Sequence, residues 1–356
     1  MPKPDAGLTH KTERDCNVCC QFLDFNTTWE RDMGPEFQAY RRDWLRYSAG
    51  RELRPFPMHL DFDLTNLCTL SCTFCPRTQM ARRGMLPPTF YMPFDIYARA
   101  IDEGAAKGLY AVNLNASGEP LLHRDLPRMV AYARERGILD VMLHTSALHL
   151  DAAMAERLLD AGLTKLIISF DSPDKAHYEA LRVGSSYDRV TANIRGMADL
   201  KARRGSLTPF IRINMVLMKE NAGERDAMVR MWQDVVDGMG FLEYINYFQW
   251  DEEDRYRHKV AYKADFVCEK PWQRLAVTHE GGIKFCHLDD ADEVVLGTLG
   301  DMTLEQAWTG PVMQRYRKLQ KAGRIREIDL CSRCSTPMMP VESEDGDVME
   351  DAHDTA

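Results

Sequence analysis

The sequence predicts an α/β protein: a partial (β/α)6 TIM-type barrel followed by a small C-terminal domain. Six short apolar segments alternate with helical patterns between residues 57 and 250, and this alternation predicts a parallel sheet. Six units are fewer than the eight of a closed barrel, so we expect a barrel that is open on one side. After about residue 255 the alternation stops, and residues 266–338 contain four cysteines.

The individual elements follow from apolar periodicity and from turn residues. The predicted strands cover residues 59–64, 110–115, 140–144, 165–170, 210–218 and 241–248. The predicted helices cover residues 35–48, 94–107, 124–136, 151–161, 187–203, 223–239 and 303–321. Gly281 and Gly282 mark the turn of a hairpin. The predicted divisions are an N-terminal extension (1–55), the barrel (56–250), a C-terminal cysteine domain (251–340) and a disordered acidic tail (341–356).

Composition limits the classes of protein that fit. The chain has 356 residues, 45% of them hydrophobic, which is enough for one large or two modest domains. No run of eighteen apolar residues occurs and the N-terminus lacks a signal-peptide core, so we expect a cytoplasmic protein with no membrane segment. The net charge is −9, but the last sixteen residues hold seven acids and no Lys or Arg, which leaves −2 for the rest. This nearly neutral body argues against nucleic acid as a partner.

Polar residues recur at every second position of several predicted strands and therefore share one face. The opposite faces are apolar and are expected to carry the helices. An ordinary barrel interior is filled by branched aliphatic residues, so this pattern predicts an interior that holds a polar substrate. The alternative is a set of hydrogen-bonded pairs buried between strands. The polar residues are His59, Asp61 and Asp63, then Asn113 and Asn115, then Arg212 and Asn214.

Three cysteines follow the first predicted strand with the spacing C-x3-C-x2-C: Cys68, Cys72 and Cys75. This position is the carboxyl end of the barrel, where active sites of β/α barrels gather. Three thiolates can hold a [4Fe–4S] cluster and leave one iron without a protein ligand. A structural zinc site is the alternative, but zinc would need a fourth protein ligand to close it.

The segment "CTLSCTFC", with Phe74 in an aromatic position, resembles the signature of the radical S-adenosylmethionine (SAM) enzymes. Two further segments, "SGEPLLH" at 117–123 and "SFDSPDKAHYEALR" at 169–182, resemble later elements of that superfamily. The three arrive in the family order, and the resemblance covers about residues 57–250. Ser117 and Ser172 depart from it, because the family usually has glycine at both positions.

The resemblance implies the residues that hold SAM. The "SGEP" element would bind the methionine amino group, and the strand-end element would meet the SAM carboxylate through Ser169 and Arg182. By this resemblance the cofactor-binding residues are Phe74, Gly118, Glu119, Pro120, Ser169, Asp171 and Arg182.

The resemblance also implies the reaction. SAM would chelate the open iron, and a reduced cluster would pass one electron to the sulfonium. The result would be a 5′-deoxyadenosyl radical, which abstracts a hydrogen atom from an unactivated C–H bond. A flavodoxin- or ferredoxin-type protein is the expected electron donor.

A second set of cysteines, in a pattern C-x17-C-x44-C-x2-C, consists of Cys268, Cys286, Cys331 and Cys334. This pattern resembles the auxiliary-cluster domain of the SPASM and shorter "twitch" branch of the superfamily. The full domain has seven cysteines and two clusters, so four cysteines imply one auxiliary [4Fe–4S] cluster with every iron ligated. Zinc in the same four thiolates is the alternative, because C-x2-C does not select the metal.

A closed auxiliary cluster suits electron transfer. If the adenosyl radical removes hydrogen from a carbon that bears a hydroxyl, loss of the hydroxyl proton and of one electron completes an alcohol oxidation. The reaction needs a general base. The candidates by position are Arg212, His144, Asp63 and Glu243.

The segment "DCNVCC" adds Cys16, Cys19 and Cys20 near the N-terminus. Three interpretations stay open: incidental thiols, a further iron site with an outside ligand such as His10, or a thiol that donates hydrogen over the open barrel. A donor thiol would make the enzyme an epimerase.

The sequence therefore favours a radical SAM oxidoreductase of a small polar substrate, such as a sugar or an aminocyclitol. An epimerase of a similar substrate and a peptide-modifying maturase are the alternatives. We rank the maturase lower because no winged-helix pattern precedes the barrel. A non-catalytic iron–sulfur scaffold is disfavoured by the nearly complete set of SAM-binding elements.

Overall fold

A computed structural model describes residues 10–11, 20–115, 117–246, 251–263, 265–289 and 292–340. Cys16, Cys19 and the acidic tail lie outside these residues. The strands are β1 (His10–Lys11), β2 (Cys20–Asp24), β3 (His59–Phe62), β4 (Ala111–Asn113), β5 (Asp140–Thr145), β6 (Lys165–Ser169), β7 (Phe210–Leu217), β8 (Gly238–Glu243), β9 (Val260–Tyr262), β10 (Arg274–Val277), β11 (Gly282–Lys284), β12 (Val295–Thr298) and β13 (Met338–Pro340).

Helices follow or flank these strands. They are α1 (Trp29–Asp32), α2 (Pro35–Gly50), α3 (Pro76–Arg82), α4 (Phe94–Ala106), α5 (Leu126–Glu135), α6 (Ala152–Asp160), α7 (Lys175–Leu181), α8 (Tyr187–Arg203), α9 (Arg225–Trp232), α10 (Lys270–Gln273), α11 (Leu304–Thr309), α12 (Pro311–Lys321) and α13 (Asp329–Ser332). Short 3-10 turns cover Pro120–Leu122, Ala222–Glu224 and Ile325–Glu327.

The barrel is formed by the six parallel strands β3 to β8, which are neighbours in chain order. This confirms the predicted partial (β/α)6 architecture. Along each strand the outward side chains are apolar and pack under the helices, as Leu60, Ile168 and Ile213 do in one continuous core. The inward side chains are the polar residues identified from sequence, and most of them are buried.

Two predicted helices differ from the structure. The predicted helix 223–239 ends at Trp232, because the following residues turn into β8. In that strand a Cβ on Gly240 would lie 2.5 Å from Asn214 Oδ1, so a larger residue would displace the Asn214 side chain. The predicted helix 303–321 is two helices, because Pro311 begins α12 and has no N–H to continue α11.

Both edges of the barrel sheet are extended. At one edge, β2 pairs antiparallel with β8. At the other edge, β10 pairs parallel with β3. β10 also forms an antiparallel hairpin with β11, and β11 pairs antiparallel with β12. Strands β10, β11 and β12 therefore continue the barrel sheet on the β3 side, which gives one sheet of eleven strands. Strands β9 and β13 pair with each other in a separate two-stranded sheet. The domain boundaries read from sequence stay predictions, but the pairing of β10 with β3 joins the C-terminal cysteine segment directly to the first barrel strand.

The amino ends of the strands are covered by aromatic residues from α1 and α2. Trp29, Phe37, Tyr40 and Trp44 pack on one another and on Phe210 at the start of β7. At the opposite, carboxyl end of the barrel, the loop with Cys68, Cys72 and Cys75 follows β3. Among the described residues, no helix combines the length and apolar character needed to cross a membrane.

Candidate active site

The first cysteine set lies in the loop between β3 and α3, with Cys75 at the N-cap of α3. Backbone hydrogen bonds fix this loop to the chain after α7: Ser71 N–H donates to Val183 O at 2.9 Å, and Thr73 N–H donates to Leu181 O at 3.0 Å. The three thiols are thereby held at the carboxyl end of the barrel on a loop that is anchored along its length.

The "SGEP" element packs directly on the start of this loop. Glu119 N–H donates to Leu67 O at 2.8 Å. A Cβ on Gly118 would overlap Thr65 O and lie 2.8 Å from Leu67 O, so a side chain is excluded. The close approach explains the glycine in physical terms, independently of any family pattern.

The Glu119 carboxylate is buried and fully engaged by the end of β5. Thr145 Oγ1 donates to it at 2.6 Å, Ser146 Oγ at 2.6 Å, Ser146 N–H at 2.9 Å and Leu121 N–H at 3.2 Å. Glu119 therefore connects the segment after β4 to the carboxyl end of β5 through hydrogen bonds. Sequence reasoning missed Thr145 and Ser146, although polar residues at the carboxyl end of a barrel strand are a signal for such a role.

We expect Gly118→Ala to weaken SAM binding about tenfold or more, because relief of the overlap moves either the "SGEP" turn or the cysteine loop. The measurement is the Kd of SAM for the anaerobically reconstituted protein. Gly196→Ala in α8 is the matched control: its Cβ meets open space, so SAM affinity is unchanged and stability rises by about 0.5–1 kcal/mol. Equal SAM affinity in wild type and Gly118→Ala would contradict the packing argument.

The strand-end element builds a buried ion pair. Arg182 Nη2 lies 2.6 Å from Asp171 Oδ2, and Arg182 Nε donates to the same oxygen at 2.7 Å. Val216 N–H donates to Asp171 Oδ1 at 2.8 Å, so both carboxylate oxygens are used. Burial would lower the pKa of Arg182, but Asp171 raises it, so the guanidinium stays charged.

Arg182 also faces the first cysteine set. Its Nη1 lies 4.0 Å from Cys72 Sγ, and its guanidinium carbon is 5.7 Å from the Phe74 ring centre. Burial raises the pKa of Cys72 to about 12, and the positive charge of Arg182 opposes this shift. Ser169 is half-buried at the end of β6. The SAM contacts of Ser169 and Arg182 remain predictions.

We expect Asp171→Asn to lower the free energy of unfolding by about 3–5 kcal/mol, because it leaves the buried Arg182 charge without its partner. Urea denaturation of the reconstituted protein measures the loss. The exposed pair between Arg204 and Asp160, 3.3 Å apart, supplies the control. Asp160→Asn should change stability by less than about 1 kcal/mol. Similar losses in the two variants would show that Asp171 does not hold a buried charge.

The barrel interior contains a polar cluster that draws on both parts of the chain. Asn113 Nδ2 donates to Asp61 Oδ1 at 3.0 Å, and Arg274 Nη1 approaches Asp61 Oδ2 at 3.5 Å. His287 Nδ1 lies 3.7 Å from Asp61 Oδ2, and His59 Nε2 lies 3.4 Å from Asp61 Oδ1. Arg274 and His287 belong to the C-terminal segment. Sequence reasoning missed them, since only the pairing of β10 with β3 brings them to the barrel.

The electrostatics of this cluster are set by burial and by two arginines. Burial would raise the pKa of Asp61, but Arg274, His287 and His59 hold it well below the usual range. Burial and then Arg212 lower the pKa of His144 to about 3. Burial and then Arg274 lower the pKa of His59. The interior thus holds an ionised aspartate beside neutral imidazoles.

The four candidate bases lie in two kinds of environment. Arg212 and His144 lie in the barrel interior, and the guanidinium carbon of Arg212 is 4.6 Å from the centre of the Phe22 ring. Asp63 is paired with Lys284 Nζ at 2.6 Å. Glu243 is held by both oxygens to Arg257 Nε, at 2.9 and 3.0 Å. Two of the candidates are therefore ion-paired, and the identity of the base remains a prediction.

The second cysteine set surrounds one apolar cavity of about 470 Å³. Its four thiols come from three separate parts of the C-terminal segment, and burial raises the pKa of Cys286 to about 12. Thiols that line an apolar pocket become thiolates only when a metal compensates their charge. The cavity is lined by Phe266, Cys268, Lys270, Pro271, Phe285, Cys286, Leu288, Ile325, Leu330, Cys331, Cys334, Thr336 and Pro337.

Matches to protein families favour iron–sulfur over zinc for the two cysteine sets. The radical SAM superfamily matches residues 62–231, and the SPASM iron–sulfur cluster-binding domain matches residues 268–335. The chain belongs to the radical SAM superfamily. Its second cysteine set is a SPASM-type site, so the cofactors are a SAM-binding [4Fe–4S] cluster, auxiliary iron–sulfur and SAM.

Curated relatives of this radical SAM protein include enzymes of several activities. It is 26% identical over 301 residues to a PqqA peptide cyclase of Granulibacter bethesdensis, covering 73% of this chain and 76% of the relative. It is 32% identical over 219 residues to GTP 3′,8-cyclase 2 of Mycobacterium tuberculosis, covering 58% of this chain and 55% of that protein. The match thus spans little more than half of the GTP cyclase.

Solved structures share its fold. BtrN in complex with AdoMet and 2-DOIA aligns with a TM-score of 0.52 and 17% identity, covering 80% of this chain and 94% of BtrN. SuiB of Streptococcus suis bound to S-adenosylmethionine aligns with a TM-score of 0.59 and 14% identity, covering 80% and 72%. These neighbours place the radical SAM protein among partial barrels with a C-terminal extension.

The N-terminal segment joins the sheet at its functional end. In the register of β2 with β8, Cys20 pairs with Leu242, one residue before the carboxyl end of β8. The radical SAM protein thus brings the chain next to "DCNVCC" to the end of the barrel that carries the first cysteine set.

Proposed function

We propose that the protein oxidises an alcohol of a small polar substrate, such as a sugar or an aminocyclitol, by abstracting a hydrogen atom from the carbinol carbon. The observation that carries the proposal is the contrast between two cysteine sets. Cys68, Cys72 and Cys75 form a set of three at the barrel end, and the four C-terminal cysteines form a set of four around one apolar cavity. An open cluster suits SAM binding, and a closed one suits electron transfer.

The bound cofactors supply the hard chemistry: reductive cleavage of SAM, hydrogen abstraction and acceptance of the substrate electron. The chain supplies position and exclusion of water. The "SGEP" turn and Arg182 form the SAM face, and the polar interior receives the hydroxyl groups of the substrate. A buried, preorganised set of dipoles of this kind orients a polar molecule without solvent. The proposed electron donor is a flavodoxin- or ferredoxin-type protein.

A radical epimerase is the second candidate, and the Cys20–Leu242 register favours it. A hydrogen-donor thiol must reach the substrate radical, and this register brings the N-terminal chain to the barrel end. A peptide maturase is the third candidate, because the peptide cyclase is a relative and SuiB is known bound to its precursor peptide SuiA. The polar residues of the barrel interior support a small polar substrate over a peptide.

The deciding experiment is anaerobic turnover of candidate substrates in deuterated solvent. We expect a product two hydrogens lighter than the substrate and no solvent deuterium at the reacting carbon. Deuterium incorporation at unchanged oxidation state would instead establish epimerisation. In that case replacement of one of Cys16, Cys19 and Cys20 by alanine would stop turnover while SAM cleavage continued.

Iron and sulfide analysis of the reconstituted protein tests the number of clusters. We expect about eight iron atoms per chain, corresponding to two [4Fe–4S] clusters. About twelve would instead indicate a third cluster, for which the N-terminal cysteines are the candidate ligands.

A further inference from the structure

Asp61 differs from the other deeply buried carboxylates of the barrel. Asp140 accepts bonds on both oxygens, from Thr164 at 2.7 Å and Lys165 at 2.8 Å. Glu119 and Asp171 likewise have both oxygens engaged within 2.9 Å. Asp61 is 1% exposed, yet within the described residues it accepts a single hydrogen bond shorter than 3.4 Å, from Asn113. A buried carboxylate normally accepts several bonds.

The groups around Asp61 are also incompletely bonded. His59 Nδ1 and Nε2, Asn113 Oδ1, Arg274 Nε and His287 Nδ1 are buried without a hydrogen-bond partner among the described residues. Asn214 Oδ1, on β7, has the same status. Such atoms are rare in folded proteins, and a cluster of them indicates bound water or a polar ligand.

The mixture of donors and acceptors restricts the ligand. Asp61 and the amide oxygens of Asn113 and Asn214 accept hydrogen bonds, Arg274 donates, and a neutral imidazole offers one of each. A hydroxyl group both donates and accepts, whereas an ammonium only donates. The arginines also disfavour an ammonium, because Arg274 already offsets the charge of Asp61 and Arg212 adds a second positive charge nearby. The cluster therefore matches adjacent hydroxyl groups.

We infer that Asp61 is a specificity-determining residue that accepts a hydrogen bond from a hydroxyl of a neutral polyol, with Arg274 and His287 completing the contact from the C-terminal segment. This inference rests on the proposed function, since it names the substrate class of the same barrel site. It also gives the pairing of β10 with β3 a functional consequence. The C-terminal segment that holds the auxiliary cysteines supplies part of the substrate pocket.

The test measures binding of neutral polyols (myo-inositol, scyllo-inositol and D-glucose) and of D-glucosamine to the anaerobically reconstituted, SAM-saturated full chain. Saturation-transfer NMR identifies binders, and calorimetry gives each Kd. Wild type should bind at least one neutral polyol more tightly than D-glucosamine. Asp61→Asn should raise that Kd about tenfold to hundredfold, the range for loss of a hydrogen bond to a charged group.

Asp140→Asn is the matched control, because it removes a buried carboxylate charge that is fully bonded elsewhere; its polyol Kd should stay within about twofold of wild type. Arg274→Gln is the second variant, used if Asp61→Asn fails to fold by thermal melting and iron content. It should raise the Kd in the same direction.

Three outcomes would overturn the inference: no neutral polyol binds wild type, D-glucosamine binds best, or the Kd of a folded Asp61→Asn protein stays within twofold of wild type. The last would mean that Asp61 holds ordered water only. Dithionite-driven formation of 5′-deoxyadenosine separates this failure from failure of the proposed function. It should persist in Asp61→Asn, and its absence from wild type would instead overturn the proposed function.

Discussion

Cys72→Ala should abolish SAM cleavage and remove about four iron atoms per chain, while the second cysteine set keeps its cluster. The reason is geometric. Cys72 is the buried member of the first set, and its loop is fixed to the chain after α7 by two backbone hydrogen bonds. The fixed loop keeps Cys68 and Cys75 from moving to the position of the Cys72 thiol. Loss of one ligand from a set of three leaves two, too few to hold the cluster.

Iron analysis and formation of 5′-deoxyadenosine under dithionite measure this effect. Ser71→Ala in the same loop is the control, because it keeps the backbone hydrogen bond to Val183 and all three thiols. It should retain iron and SAM cleavage. If Cys72→Ala retained wild-type iron and cleaved SAM, the first set would not be the SAM-binding site.

Cys286→Ala should have the reciprocal effect: loss of the auxiliary iron, persistence of SAM cleavage and loss of oxidised product. The Cys286 thiol lines the apolar cavity of the second cysteine set, and its replacement by alanine leaves three of the four candidate ligands. The substrate radical would then form without an electron acceptor. We expect 5′-deoxyadenosine to accumulate with little oxidised product, measured by mass spectrometry of both.

The control for this variant is Thr336→Val, on the rim of the same cavity. Thr336 contacts Cys334 twice. The Thr336 N–H donates to Cys334 Sγ at 3.4 Å, and Cys334 Sγ donates to Thr336 Oγ1 at 3.1 Å. Valine keeps the shape and the backbone bond, so iron content and product should stay near wild type. Oxidised product at the wild-type level from iron-depleted Cys286→Ala would remove the auxiliary site from the reaction.

Local patterns in the sequence were sufficient to predict the six barrel strands and both cysteine sets, although the last strand, predicted at 241–248, lies at Gly238–Glu243. Strand alternation and cysteine spacing are properties of short segments, so each could be interpreted without knowledge of distant contacts. The polar inner face of β3 was predicted for the same reason. The two helix errors arose where the chain leaves α9 after Trp232 and turns into β8, and where Pro311 begins a new helix.

What the sequence could not predict depends on pairing between distant segments. β10 lies more than 200 residues after β3, and no periodicity announces that the two are parallel neighbours. The same pairing brings Lys284 to Asp63 and Arg274 to Asp61. Two of the sequence-derived base candidates, Asp63 and Glu243, acquire cationic partners only in the folded chain. Side-chain pairing of this kind follows from tertiary structure and has no local signature.

The proposed reaction requires one open and one closed cluster in the same chain. Electron paramagnetic resonance of the dithionite-reduced protein, with and without SAM, tests this most directly. We predict that SAM changes the signal of one cluster only, and that the changed signal survives in Cys286→Ala and is lost in Cys72→Ala. A SAM-responsive signal that disappears with Cys286 and persists without Cys72 would contradict the account.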